Sequence, residues 1–190
     1  MLLDKTIAEL ASGLRRKQFS SEELVRECYV RIEKHNPKLN AFITIVDKDK
    51  ALIQAREKDK HRTSDKGPLY GIPFVIKDSY VTRGIRTTAA SNVLGDYTPQ
   101  YNATVYQKLV DAGAVLLGKM NMDAWGHGGS TENTDFGPAK NPWDRTRVAG
   151  GSGGGPAVAV ATRMASFAIS EDTGGSIRNP AAWCGITGLK

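Results

Sequence analysis

Cysteine, histidine and long apolar runs are scarce in this chain of 190 residues. Its two cysteines, Cys28 and Cys184, lie far apart and no signal-peptide pattern opens the sequence. A disulfide framework is therefore not expected, and both side chains read as reduced thiols of a cytoplasmic protein. No apolar run reaches the roughly 18 to 20 residues that a membrane span needs, which excludes a transmembrane-helix reading. With 40% hydrophobic and 24% charged residues, the composition is globular and not that of a disordered segment. Charge of one sign is not concentrated either. The formal net charge is +6, but residues 1–66 hold 15 Lys and Arg against 11 Asp and Glu, and residues 67–190 hold 11 against 9. Cations interleaved with acids in this way describe solvated helix faces, so direct nucleic-acid binding is not expected. What the chain has in excess is glycine: nine of its 20 glycines fall between Gly150 and Gly188.

Residues 1–66 read as an N-terminal helical region. In KTIAELASGLRRKQ, Ile7, Leu10, Ala11 and Leu14 recur at spacings of three and four and form one apolar stripe. Ser20 with Glu23 fits a capping box at the start of a second helix, which continues through Leu24, Cys28 and Ile32 and is expected to end at Asn36-Pro37. AFITIV at 41–46 reads as a strand, 47–61 as a helix and TSDKGP at 63–68 as a loop. From residue 67 short apolar strands alternate with helices. GIPFVIKD at 71–78 suits a strand, and 104–123 suits a helix, a turn at Gly113 and a buried strand at AVLLGK. Residues 157–170 give a helix and then a strand. This alternation implies an α/β sandwich.

Two glycine-serine segments carry the chemistry. GGSGGGP at 150–156, ahead of an Ala/Val helix, has the backbone freedom to cradle an anion, and Pro156 suits a first helical position. Yet no lysine follows as a P-loop requires, and Pro156 stands where a dinucleotide fingerprint needs its third glycine. The second segment, SEDTGGSIRNPAAWCGITG at 170–188, would follow a strand. There Thr173-Gly174-Gly175-Ser176 can turn backbone N–H groups toward a point beside the Ser176 hydroxyl, the arrangement that acyl transfer uses to hold an oxyanion. Gly-Gly-Ser is also a common turn.

A serine nucleophile needs a base, and histidine is in short supply. His35 and His61 lie in highly charged segments, and no spacing supports a triad through His127. Gly150-Gly151-Ser152-Gly153-Gly154 matches the nucleophile-elbow pattern in letters only. Lysine serves as base when it is neutral. Lys77 ends the apolar run GIPFVIK, where desolvation would lower its pKa, and a second serine between base and nucleophile can relay a proton. The competing reading is a strand-end lysine that reaches solvent or pairs with Asp78.

Taken together, GIPFVIKD with Lys77, RVAGGSGGGPAVAVA with Ser152 and SEDTGGSIRNPAAWCGITGLK with Ser176 resemble the amidase signature family, in order and with separations of 75 and 24 residues. The resemblance extends over nearly the whole chain, and 118–144 is most similar to the glutaminase subunits of tRNA-dependent amidotransferases. It implies an amidase-signature sandwich: a central mixed sheet flanked by helices, preceded by the helical region 1–66, with 67–190 as the N-terminal part of the signature domain. Family members continue well beyond this point, so the chain is expected to be the front part of a larger domain, with an open sheet edge and little glutaminase activity alone.

The resemblance also implies roles. Ser176 would be the acyl-enzyme nucleophile, Ser152 the relay serine on an unusual cis peptide bond, and Lys77 the base. The backbone N–H groups of Thr173, Gly174, Gly175 and Ser176 would form the oxyanion hole, braced by Asp172 and Arg178. Glutamine would be the substrate, with released ammonia passed to companion subunits B and C and used on mischarged tRNA. ATP and Mg²⁺ would be used by the companion, with no cofactor, metal or membrane contact of this chain's own. A stand-alone amidase for small amides, or an inactive fragment, would share the same residues. Gly153 and Pro156 depart from the family's usual serines, and Glu171 stands where a small or polar residue is usual.

Overall fold

The computed structural model describes residues 2–190. Helix α1 (Ile7–Arg15) opens on a capping box in which the Thr6 hydroxyl accepts from Glu9 N–H and the Glu9 carboxylate accepts from Thr6 N–H. Helix α2 (Ser21–Leu39) opens on the expected box between Ser20 and Glu23. It does not stop at Asn36-Pro37 but runs on through Pro37 to Leu39. Proline removes one donor, and in the last turn the end is closed by other groups. Asn40, left-handed at φ 51°, donates its N–H to Asn36 O at 2.8 Å, and the Asn36 side chain accepts from Ala41 and Phe42 N–H.

Strand β1 (Phe42–Ile45), helix α3 (Lys48–Lys60), strand β2 (Pro73–Lys77), helix α4 (Thr104–Asp111) and strand β3 (Val115–Met120) follow. Helix α5 (Gly154–Ala161), strand β4 (Phe167–Ile169) and helix α6 (Arg178–Cys184) complete the order. The four strands form one mixed sheet, β1-β3-β2-β4, with β1 antiparallel to β3 and the other pairs parallel. The first 66 residues thus supply a strand of this sheet as well as helices.

Every residue of β2 is buried, and alternate side chains serve two cores. Val75 joins Leu10, Leu24, Leu52, Leu117 and Val158, drawn from α1, α2, α3, β3 and α5. Phe74 and Ile76 join Leu109 of α4 and Leu116, with Phe74 stacked on Phe167 of β4 at 5.4 Å between centroids. Helices therefore cover both faces of the sheet, which makes the architecture an α/β sandwich. A residue such as Phe74, Leu117 or Val158, fully enclosed, contributes about 1.5 to 3 kcal/mol by burial.

Two features bear on the site. Helix α5 begins at Gly154 and not at Pro156, which becomes its third residue; a first-turn N–H has no helical partner, so proline there removes nothing. At Gly155 a Cβ would collide with the backbone oxygens of Asn121 and Ala41, so only glycine lets α5 approach the ends of β1 and β3 this closely. At the other side of the sheet β4 pairs with β2 alone and forms an edge. Beside it lies a groove of about 820 Å³ whose lining includes Ile7, Pro156, Val160, Phe167 and Ile177.

Candidate active site

Three elements converge. Strand β2 delivers Lys77 at its C-terminal end, the segment ahead of α5 delivers Ser152, and the loop between β4 and α6 delivers Ser176. Lys77 Nζ lies 2.6 Å from Ser152 Oγ, and Ser152 Oγ donates to Ser176 Oγ at 2.8 Å. The result is one unbroken line of hydrogen bonds through side chains exposed by 0%, 1% and 9%. The competing reading of Lys77 fails on both counts: the side chain does not reach solvent, and Asp78 pairs elsewhere, with Lys119 at 3.1 Å.

Burial pushes the Lys77 pKa down from the ordinary lysine value; the adjacent carboxylate of Glu171, and more weakly Asp123 and Asp172, push it back up. Glu171 is in direct contact, its Oε1 2.5 Å from Lys77 Nζ.

The peptide bond between Gly151 and Ser152 is cis. The segment is fixed from both sides. Asp123 N–H donates to Ser152 O at 3.0 Å, Thr131 Oγ donates to Gly150 O at 2.8 Å, and Gly154 N–H donates to Thr131 Oγ at 2.9 Å. Gly153 N–H donates to Ser176 O at 3.1 Å, which ties the two serine segments together. Thr131 sits at φ 61°, a region that disfavours a branched side chain by about 1 to 3 kcal/mol. Asp123 holds it there, its carboxylate accepting from the N–H groups of Ser130, Thr131 and Asn133.

In the second segment Asp172 accepts from the N–H groups of Ile177 and Arg178 and from the Arg178 guanidinium at 2.9 and 3.0 Å. That guanidinium holds the Asp172 carboxyl well below the usual carboxylate range. The loop so pinned contains Gly175 at φ 141°, a conformation that L side chains rarely adopt. Among the described residues, the backbone N–H groups of Thr173, Gly174, Gly175 and Ser176 have no acceptor. Four free donors next to a serine hydroxyl can stabilise negative charge that develops on an attacked carbonyl.

His127 takes no part, bonding through Nδ1 to Trp125 O. Among the described residues no group of three or more His, Cys, Asp or Glu is placed to hold a metal ion, and no helix is long and apolar enough to cross a membrane. Sequence reasoning passed over Asp123 and Thr131. Their only signal was the density of polar residues in GHGGSTENTD at 126–135. Glu171 was visible as a departure but had no role.

The amidase family pattern matches residues 23–190. The chain is 50% identical over 187 residues to a glutamyl-tRNA(Gln) amidotransferase subunit of Methylococcus capsulatus, covering 98% of this chain and 38% of that one. The crystal structure of a glutamyl-tRNA(Gln) amidotransferase subunit from Thermotoga maritima superposes with a TM-score of 0.81 at 38% identity, over 97% of this chain and 37% of that one. A peptide amidase in complex with the competitive inhibitor chymostatin superposes at 0.86 with 33% identity, over 95% and 39%. The chain thus spans about two-fifths of the length of the relatives it matches.

Proposed function

The chain belongs to the amidase family, and from that premise we propose that it is the front part of the glutamine-hydrolysing subunit of a tRNA-dependent amidotransferase. The observation that carries the catalytic part of this reading is the line from Lys77 Nζ through Ser152 Oγ to Ser176 Oγ. Neutral Lys77 takes the Ser152 proton as Ser152 takes that of Ser176, and Ser176 Oγ attacks the carboxamide carbon of glutamine. The oxyanion is received by the free N–H groups of residues 173–176, each such donor being worth about 2.7 to 4 kcal/mol in the transition state. The proton returns along the same line to the amide nitrogen, the C–N bond breaks, and ammonia leaves a glutamyl ester on Ser176. Water then attacks the ester and frees glutamate.

The choice of glutamine and of a tRNA-linked pathway rests on likeness to the amidotransferase subunits. In this reading the ammonia goes to companion subunits B and C in the cytoplasm, which bind the mischarged tRNA and use ATP and Mg²⁺. The likeness to a peptide amidase supports a second reading, an amidase acting by itself on other amides. Incubation with glutamine and the companion subunits separates them: the proposal expects ammonia release and a hydroxylamine-trappable glutamyl ester that Ser176→Ala abolishes. Retained glutamine turnover in Ser176→Ala sinks the mechanism, and turnover of small amides but not glutamine favours the second reading.

A further inference from the structure

One residue at the centre of the site has no part in the mechanism above. Glu171 lies two residues past the end of β4, and its carboxylate bridges two groups at and just beyond the end of β2. Oε1 lies 2.5 Å from Lys77 Nζ, and Oε2 accepts from Ser79 Oγ at 2.9 Å. Lys77 has no solvent contact, whereas the Glu171 side chain is 36% exposed. Nζ therefore has two polar partners, the relay hydroxyl of Ser152 on one side and a carboxylate on the other. These partners ask for opposite states. As a base, Nζ must accept from Ser152, which requires neutral lysine; facing a carboxylate, Nζ gains most as ammonium.

We infer that Glu171 is a positioning residue that acts through Lys77 and sets the pH at which the relay becomes competent. The inference rests on the Lys-Ser-Ser reading of the preceding subsection. The other charged and titratable groups around Lys77 do not take this part. Asp123 is committed to three backbone N–H groups, Asp172 to Arg178, and Asp78 to Lys119, while Tyr80 meets Lys77 through the backbone, its N–H donating to Lys77 O at 3.2 Å, and its phenol makes no hydrogen bond to Nζ. Burial and Glu171 therefore pull the Lys77 proton affinity in opposite directions, burial being the larger. The sign follows: removing the Glu171 charge leaves burial less opposed, Lys77 loses its proton more readily, and the acid limb of serine reactivity moves to lower pH.

The test uses the unaltered chain and Glu171→Gln, which keeps the shape and the acceptor for Ser79 but not the charge. An alkyl fluorophosphonate probes the site without any glutamine-binding group. The Ser176 oxygen bonds to phosphorus, fluoride leaves with the electrons of the P–F bond, and the serine proton passes through Ser152 to Lys77. Labelling rates are read by intact mass from acid to alkaline pH. On the acid limb the Gln variant should label roughly tenfold faster at a fixed pH, with the alkaline plateau unchanged to within about twofold. Glu171→Ala, expected to move the limb the same way, replaces it if the Gln variant does not fold. Superimposable profiles overturn the inference and leave the Lys-Ser-Ser reading standing. A uniform fall at every pH also overturns it, because loss of structure alone lowers the rate without moving the limb. If the unaltered chain shows no Ser176 labelling at any pH, the catalytic reading itself fails and takes this inference with it.

Discussion

Ser152→Ala deletes one oxygen atom and with it what is, among the described residues, the only side-chain link between Lys77 and Ser176. In the unaltered chain that oxygen lies 2.6 Å from Lys77 Nζ and 2.8 Å from Ser176 Oγ. Without it the base stands two hydrogen bonds away from the nucleophile, with no side chain between them. General-base assistance is typically worth 10² to 10⁴ in rate, or about 2.7 to 5.5 kcal/mol of barrier. The fold should be affected far less. Lys77 keeps its contact with Glu171, Thr131 still anchors the Gly150 and Gly154 backbone, and a lost neutral hydrogen bond contributes about 1 kcal/mol. The assay is the rate of fluorophosphonate labelling at the alkaline plateau, measured beside a thermal melt. A labelling rate within about threefold of the unaltered chain, in a variant that melts normally, would refute the relay, since a working general base is worth about a hundredfold or more.

Other outcomes follow from the same geometry. Lys119→Met leaves the Asp78 carboxylate enclosed with Thr88 as its one donor among the described residues, and should destabilise by about 3 to 5 kcal/mol as seen in the melting temperature; a smaller loss in Lys119→Met with Asp78→Leu would mark the penalty as one of unpaired charge. Gly155→Ala drives a methyl into two backbone oxygens and should lower the melting temperature by the equivalent of at least about 1 to 3 kcal/mol; a neutral result would contradict the close approach of α5. Cys28 and Cys184 are buried, burial pushing the Cys184 thiol up to about 12 and Cys28 higher still, so an aromatic disulfide reagent at mild alkaline pH should titrate neither until denaturant is added.

Much of the fold was legible because the local signals agreed. Ser20 with Glu23 set the start of α2, the 3.6-residue stripe gave α1, and the apolar runs gave β2 and β3. The end of α2 lies past Pro37 because the one backbone bond that proline removes near the last turn is offset by the cap that Asn36 and Asn40 form just beyond it. Helix α6 was not anticipated, since RNPAAWC is a single short turn pair with Pro180 inside it and no apolar period to count. Strand order was beyond reach as well: nothing in FITI or VLLGKM says that β1 runs antiparallel to β3. Within the site, Lys77 and Lys119 look alike in sequence, each at the end of a buried run. Register separates them, for Lys119 pairs with Ile76 while Lys77 pairs with Met120, so they face opposite sides of the sheet. One meets Ser152 and, through it, Ser176, and the other meets Asp78.

The central claim is that Ser176 is the nucleophile and that Lys77 arms it. Peptide mapping of the fluorophosphonate-treated chain tests this most directly, because it locates the new phosphorus-oxygen bond on one residue. The account predicts modification at Ser176 in the unaltered chain, at a rate that rises as Lys77 loses its proton, and its loss in Lys77→Met. Modification at Ser152 instead, or undiminished labelling of Ser176 in a folded Lys77→Met variant, would contradict it.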